Sequence, residues 1–380
     1  MMVGHTPTRI SPRNRGILQR FPATTTSPEL LSRGAYWTAG AEEQRSARQH
    51  GMVITRTPFR ISFFGGGTDY PVYFREHGGE VLSTTINKYC YITCRYLPPF
   101  FDYKYRLRYS RSELTHTIDE IEHPSIRECL RYCGIDRGVE IVHTGDIPAM
   151  SGIGSSSSFT VGLLQALYAL KGEMVTKRRL AYDAIHIEQN LIGENVGSQD
   201  QTAAAFGGFN HIEFGGRSDG VFVQPVILPR EKLNYLQGHL LFYFTGFSRH
   251  ASEIAKEQVV NTQDRLRELG RMREMVGEAL NILGGPIEHY DAFGRLLHES
   301  WMLKKGLTRL VSTSEIDAIY DLALASGALG GKLCGAGGGG FFLFFVPPEK
   351  QPQVKEALSR LLLVPFRFED LASHIVFYAN

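Results

Sequence analysis

The segment Pro148-Ala-Met-Ser-Gly-Ile-Gly-Ser-Ser-Ser-Ser158 runs straight into an apolar, helix-like stretch over 159–170. This is where a phosphate would sit. Gly152 and Gly154 let the backbone approach an anion without a Cβ in the way, and the unpaired N–H groups opening the next helix point at it. Ser155, Ser156, Ser157 and Ser158 add hydroxyls for phosphate oxygens or a hydrated metal, and Pro148, Ser151 and Ile153 complete the cradle. No Gly-Lys-Ser/Thr closes the loop, so it is not a Walker A sequence, and Ser157 stands where a dinucleotide fingerprint has its third glycine. A flexible Gly/Ser linker is the plain alternative, but linkers are not normally followed by such a helix.

A second glycine loop lies near the other end, Lys332-Leu-Cys-Gly-Ala-Gly-Gly-Gly-Gly340. Residues 335–340 formally contain G-x-G-x-x-G, but 341–346 are too short and too aromatic for the helix of a Rossmann unit. A strand on that side argues against dinucleotide binding.

The elements that must carry these loops follow from periodicity. Residues 53–57 and 60–64 read as two strands around Pro58, and 81–97 as a long β-rich stretch with Tyr89, Tyr91, Thr93 and Arg95 alternating. A short helix is expected over 124–133, a strand over 139–143 feeding the serine loop, and a single helix over 176–193. Residues 200–245 read as strands with Gly-containing turns, ending in the apolar run 240–244. Residues 252–283 read as a long surface helix packed by one face. Ser312-Thr-Ser-Glu315 reads as a capping box opening a helix that Gly327 ends.

The segment Arg56-Thr-Pro-Phe-Arg60-Ile-Ser-Phe-Phe-Gly-Gly-Gly-Thr68-Asp69-Tyr70, the serine loop and the second glycine loop resemble, in order and spacing, the three motifs of the GHMP small-molecule kinases. That family includes galactokinase, homoserine kinase and mevalonate kinase, and the match spans residue 53 to about residue 380. The resemblance implies an α+β, two-domain architecture: an N-terminal domain like domain 2 of ribosomal protein S5 over 52–245 and a ferredoxin-like split α+β domain over 246–380. The active site would lie between them. It also implies ATP as phosphate donor, with Gly335, Gly337 and Gly338 facing the nucleotide, and Mg²⁺ held by Ser156 and Glu188. Glu194 is the rival carboxylate if the loop shifts by one turn.

On the acceptor side, Gly197-Ser-Gln-Asp200-Gln201 resembles the segment carrying the family's catalytic aspartate, which makes Asp200 the general base. An unperturbed Asp, with a pKa of about 3.9, is a weak base at neutral pH, so it would orient the hydroxyl and take its proton late. Arg60 matches the basic position after the first motif's proline and would steady Asp200 and the phosphoryl group in flight. Asp69 matches the galactokinase aspartate that receives sugar hydroxyls, with Gly66, Gly67 and Thr68 beside it. A plain Arg60–Asp69 salt bridge is the structural alternative.

Galactokinases carry Gly-Glu-His-Thr-Asp where this chain has Gly65-Gly-Gly-Thr-Asp69, so the residues that bracket galactose are missing. The first motif, Thr-Ile-Asn-Lys-Tyr-Cys-Tyr-Ile over 85–92, the serine loop and Ile-Gly-Glu-Asn-Val-Gly-Ser-Gln-Asp-Gln over 192–201 look most like the heptose kinase branch. That implies a sugar phosphate substrate, a heptose 7-phosphate phosphorylated on its anomeric hydroxyl for nucleotide-activated heptose and surface glycans. Its remote phosphate would need a basic partner, Arg249 or Arg106. Strand alternation puts Lys104, Arg106 and Arg108 on one face, and a solvated basic strand explains that face equally well. A fucokinase-like enzyme for an unphosphorylated sugar and a non-catalytic sugar-binding member are the alternatives.

Composition adds bounds. With 41 basic and 39 acidic residues in 380, nothing points to nucleic acid or an anionic membrane as partner. No apolar run approaches the ~18 residues that span a bilayer. The five cysteines, with Cys90/Cys94 and Cys129/Cys133 at i,i+4, read as reduced core thiols of a cytoplasmic protein rather than a zinc site. The resemblance allows a homodimer. Residues 1–51 are Arg- and Ser-rich with no periodic apolar face, and read as a disordered leader or a mis-called start upstream of Met52.

Overall fold

The computed structural model describes residues 51–149, 151–215, 220–246 and 251–379, so the leader and Arg249 lie outside the described residues. β1 (Met52–Phe64) is one strand of 13 residues rather than two. Pro58 has no N–H to give the ladder, and the register with β2 (Gly79–Tyr96) shifts between Pro58 and Phe59, so a bulge absorbs the proline.

β2 is the spine of the first sheet. On its other side it pairs with β6 (Phe209–Gly215) through its first part and with β5 (Val139–Gly145) through its last. β5 pairs in parallel with β3 (Tyr105–Arg108), which carries β4 (Ser112–Thr115), and β7 (Gly220–Pro225) borders β6. β12 (Phe368–Glu369) adds to β2 and β13 (His374–Ala379) flanks β1, giving nine strands. The second sheet has four antiparallel strands: β11 (Leu362–Leu363), β8 (Leu240–Gly246), β10 (Gly340–Phe345) and β9 (Gly330–Leu333), in that order. The class is α+β, as expected. A line drawn at 245/246 does not follow the sheets, because β8 belongs to the second and the late strands β12 and β13 return to the first.

The helices in chain order are α1 (Pro71–His77), α2 (Pro124–Tyr132), α3 (Ser155–Leu170), α4 (Lys177–His186), α5 (Gln199–Phe206), α6 (Arg230–Gly238), α7 (Ala251–Val260), α8 (Leu266–Gly284), α9 (Asp291–Lys305), α10 (Ser314–Ala325) and α11 (Gln351–Ala357). α3 lies on β1 and β2, and the contact is close enough to require glycine. A Cβ on Gly162 would stand 2.6 Å from Thr57 Oγ1, and the Thr55 hydroxyl donates to the Gly162 carbonyl at 2.9 Å.

Four further expectations change. The helix over 176–193 stops at His186 and continues as a π-helical turn, Ile187–Ile192, closed by Gly193 at φ +77°. Such a widened turn re-aims side chains within a helix, and here it carries Glu188. The stretch 200–245 holds two helices besides its strands: the alanines of α5, too plain to signal a helix in sequence, are small enough to bury completely. Residues 252–283 break at a 3₁₀ turn, Asn261–Arg265, between α7 and α8. The cap of α10 is Thr313, which accepts from the Ile316 N–H at 3.3 Å, while the Ser312 hydroxyl bonds Asp317 instead.

All five cysteines are buried free thiols. Among the described residues no helix is long and apolar enough to cross a membrane.

Candidate active site

β5 delivers the chain to the serine loop, and α3 begins where Gly154 takes a left-handed conformation, φ +73°. No side chain caps this helix, so the first-turn N–H groups are open to an anion. The loop is fixed to β1: the Arg60 N–H donates to the Ile153 carbonyl at 3.2 Å, and the Ser158 hydroxyl to the Pro58 carbonyl at 3.1 Å. The four serines divide. Ser157 and Ser158 are buried and Ser155 and Ser156 are not, and of the four only Ser158 is absent from the wall of a cleft of about 920 Å³. Ser151 is also buried, its hydroxyl on the Pro148 carbonyl at 2.8 Å.

The second glycine loop is the turn of an antiparallel β9–β10 hairpin with no helix behind it, which leaves no dinucleotide site. It touches the serine loop backbone to backbone. A Cβ on Gly152 would lie 2.7 Å from the Cys334 carbonyl oxygen, and one on Gly335 would lie 2.5 Å from Gly152 Cα. Gly335 and Ala336 line the cleft. Gly337 and Gly338 back onto Val311 instead, and the Gly338 N–H donates to the Val311 carbonyl at 2.9 Å.

Arg60 faces Asp200, not Asp69. Its Nε donates to Asp200 Oδ1 at 2.7 Å and one terminal nitrogen to Oδ2 at 2.9 Å, while the other donates to the Gly152 carbonyl at 3.0 Å. One guanidinium therefore joins the carboxylate in the first turn of α5 to the phosphate loop.

Asp69 is held by backbone. Gly67 N–H donates to Oδ1 at 2.9 Å and Gln199 N–H to Oδ2 at 3.3 Å, and its own carbonyl accepts from Ser198 N–H at 3.0 Å. Gly197 leaves the room: a Cβ there would lie 1.8 Å from Asp69 Oδ2. Burial, and then the charge of Asp200, push the Asp69 carboxyl up to about 6, with the amides of Gly67 and Gln199 pulling it back. Gly66 and Gly67 line the cleft beside it. Thr68 does not, since its hydroxyl is spent on the carbonyls of Gly65 and Glu80.

Glu188 is fully buried. Its Oε2 accepts from the Ser157 hydroxyl at 2.8 Å and from the Gln201 amide, and its Oε1 has no hydrogen-bond partner. Burial lifts its carboxyl to about 7, against the nearby hydroxyls of Thr160 and Ser157. The unpartnered Oε1 is a hard oxygen of the kind Mg²⁺ takes, but Glu188 is not part of the cleft wall that Ser156 lines. The rival Glu194 does line the cleft, its N–H on the Glu188 carbonyl at 2.9 Å, and burial raises its carboxyl too.

Arg106 is not at the site. It pairs with Glu140 of β5 at 3.3 Å and is not part of the cleft wall, and Lys104 and Arg108 are exposed. The alternation put the three on one face, and that face is solvent. Residues the sequence reading passed over take part instead. Tyr70, Lys304 and Lys332 line the cleft around Arg60, and Tyr109, His123, His143 and Phe159 line the end beyond the serine loop. His123 stacks on Phe159 at 4.9 Å between ring centres, and Tyr109 meets His123 edge-on at 4.7 Å. Lys332 opens the second glycine motif, and that position was the available signal.

Residues 116–208 match the family profile described as GHMP kinases N terminal domain, and 278–362 the one described as GHMP kinases C terminal. The chain is 30% identical to a D-glycero-alpha-D-manno-heptose 7-phosphate kinase of Campylobacter jejuni, over 81% of this chain and 93% of that protein. It is 28% identical to an L-fucokinase/L-fucose-1-P guanylyltransferase of Bacteroides fragilis, over 82% of this chain but only 36% of that longer protein. A crystal structure titled as a D-glycero-D-manno-heptose 1-phosphate kinase from Bacteroides thetaiotaomicron superposes with a TM-score of 0.70 at 26% identity, covering 86% of this chain and all of that one.

Proposed function

Because the chain belongs to the GHMP kinases, ATP-dependent phosphotransferases acting here on a sugar hydroxyl, we propose that its substrate is D-glycero-D-manno-heptose 7-phosphate and its product the 1,7-bisphosphate. Both heptose relatives are named for that sugar, and the two phosphate positions in their names are those of this product. The product would feed nucleotide-activated heptose for surface glycans.

The observation that carries the mechanism is the Arg60 bridge from Asp200 to the Gly152 carbonyl. Asp200 orients the anomeric hydroxyl and takes its proton as the new O–P bond forms, and Arg60 holds that carboxylate at a fixed distance from the phosphate loop. Asp69 accepts sugar hydroxyls, for which it must be ionised. The open N–H groups of α3 and the hydroxyls of Ser155 and Ser156 hold the phosphates of ATP. The aromatic end formed by Tyr109, His123 and Phe159 receives the base. Ser156 and Glu188 would hold Mg²⁺, which neutralises charge on the phosphates when bound.

A coupled ATPase screen over heptose 7-phosphate, free heptose, fucose and galactose tests the reading. The highest kcat/KM should belong to heptose 7-phosphate. The fucokinase-like reading draws on the placement of Arg106 off the cleft, and equal use of phosphorylated and free heptose would put it in first place.

A further inference from the structure

Lys304, at the end of α9, and Lys332, in β9, are 7% and 4% exposed, yet both line the cleft. Their ammonium groups meet only backbone. Lys304 Nζ donates to the carbonyls of Leu333 at 2.8 Å and Gly335 at 2.6 Å, and Lys332 Nζ to the Phe63 carbonyl at 2.9 Å. Among the described residues neither has a carboxylate within ion-pair distance, because Asp200 is taken by Arg60 and Asp69 by two amides. An ammonium carries three donors, so one N–H of Lys304 and two of Lys332 remain for other acceptors.

Buried charge is costly unless paired, and these two cations and Arg60 share one cleft. Burial and the neighbouring cations push both lysines down, Lys332 to about 8 and Lys304 well below the usual lysine range. Carbonyls that tie a loop in place need only a neutral donor. Two lysines at the wall of an anion-handling cleft offer more than that.

We propose that Lys304 and Lys332 form a second phosphate-binding site, on the wall of the cleft beside the serine loop, that takes a phosphoryl dianion. Lys304 sits on the carbonyl of Gly335, which packs against Gly152, so it stands beside the phosphate loop. Lys332 reaches from β9 to the carbonyl of Phe63 in β1, three residues from Arg60. Two sources present this chemistry: the terminal phosphate of the nucleotide and the phosphate already on the sugar. The inference rests on the kinase reading but not on the identity of the sugar.

Full-length wild type, Lys304→Met and Lys332→Met are compared in two arms: calorimetric titration with ATP alone, and kinetics with heptose 7-phosphate and free heptose. Loss of a charge-assisted contact should weaken binding about tenfold to a hundredfold. A loss in the ATP arm assigns the terminal phosphate, and a loss confined to heptose 7-phosphate assigns the sugar phosphate. Folded variants unchanged in both arms overturn the proposal. If wild type uses neither heptose, the substrate reading has failed, and the second arm is run with inorganic phosphate, where unchanged binding again overturns it. Should Lys304→Met not fold, Lys332→Met, which loses a single backbone bond, carries the test. Lys332→Arg should restore binding, and a deficit as large as that of Lys332→Met would reduce the lysine to a tether and sink the idea.

Discussion

Asp69 and Glu188 are both buried carboxyls pushed above their usual range, yet they are held in different ways. Asp69 has each oxygen on a backbone amide, one from its own motif and one from the Ser198–Gln199 segment. Glu188 sits among side chains, with Ser157 and Gln201 on one oxygen and nothing on the other. A carboxylate clamped by amides cannot change partners without moving backbone, so the position of Asp69 is set by the fold. One held by rotatable hydroxyl and amide groups, with an acceptor to spare, can take a cation by turning side chains. Under the proposed function, rigidity would sit where a hydroxyl is aimed, and adjustability where a hydrated ion is gripped.

The largest expected effect tests the rigid end. Asp200→Asn should lower kcat by ~10²-fold or more while ATP affinity by calorimetry stays near wild type, since the carboxylate faces the acceptor. A variant with near-normal kcat removes Asp200 as base. Next comes Gly197→Ala, whose methyl must displace the Asp69 carboxylate. It should cost about 1–3 kcal/mol in chemical denaturation and raise the sugar KM without touching ATP binding. An unperturbed sugar KM would show that Asp69 does not contact the substrate.

Glu188→Gln probes the adjustable end. The metal requirement for half-maximal rate should rise about tenfold, the loss of one charged ligand, while thermal stability holds or increases because a neutral amide is easier to bury than a carboxylate. The pH dependence carries the same signature. Glu188 near 7 and Asp69 near 6 bind a proton more tightly folded than unfolded, so their contribution favours folding at low pH and is lost as pH rises through those values. Metal-free protein should therefore lose thermal stability from about pH 5 to pH 7.5, and Glu188→Gln should flatten that slope. Over the same range kcat/KM for the sugar should rise as Asp69 ionises. The smallest effect belongs to Arg106→Ala: the partly buried Glu140 keeps its other partner Arg95, so the loss should be about 1 kcal/mol, and the preference between phosphorylated and free heptose should not move.

The motifs were legible because glycines and serines in fixed order announce backbone conformations and anion chemistry directly. Arg60, Asp69 and Asp200 converge as expected, though Arg60 chose the aspartate 140 residues away over the one in its own motif. What sequence did not reveal was mostly tertiary. The π-turn at Ile187–Ile192 keeps helical periodicity in its flanks, so nothing local marks the extra residue that turns Glu188 inward. Alternation identified the face shared by Lys104, Arg106 and Arg108 but could not say which side of the sheet meets the cleft. Lys304 stands in a Lys-Lys pair at the end of α9, and only the packing of that helix under the second glycine loop distinguishes it from an exposed lysine.

β13 completes the first sheet by pairing with β1, the strand that carries Arg60. β13 lies far from β1 in the chain, so until it is made the outer edge of β1 over Met52–Arg56 stays unpaired. Closing so long a loop is entropically slow, and the open edge is the one a nascent chain must keep from other strands meanwhile. Cutting the chain before His374 would take the antiparallel partner from Met52–Arg56, the start of the strand that carries Arg60.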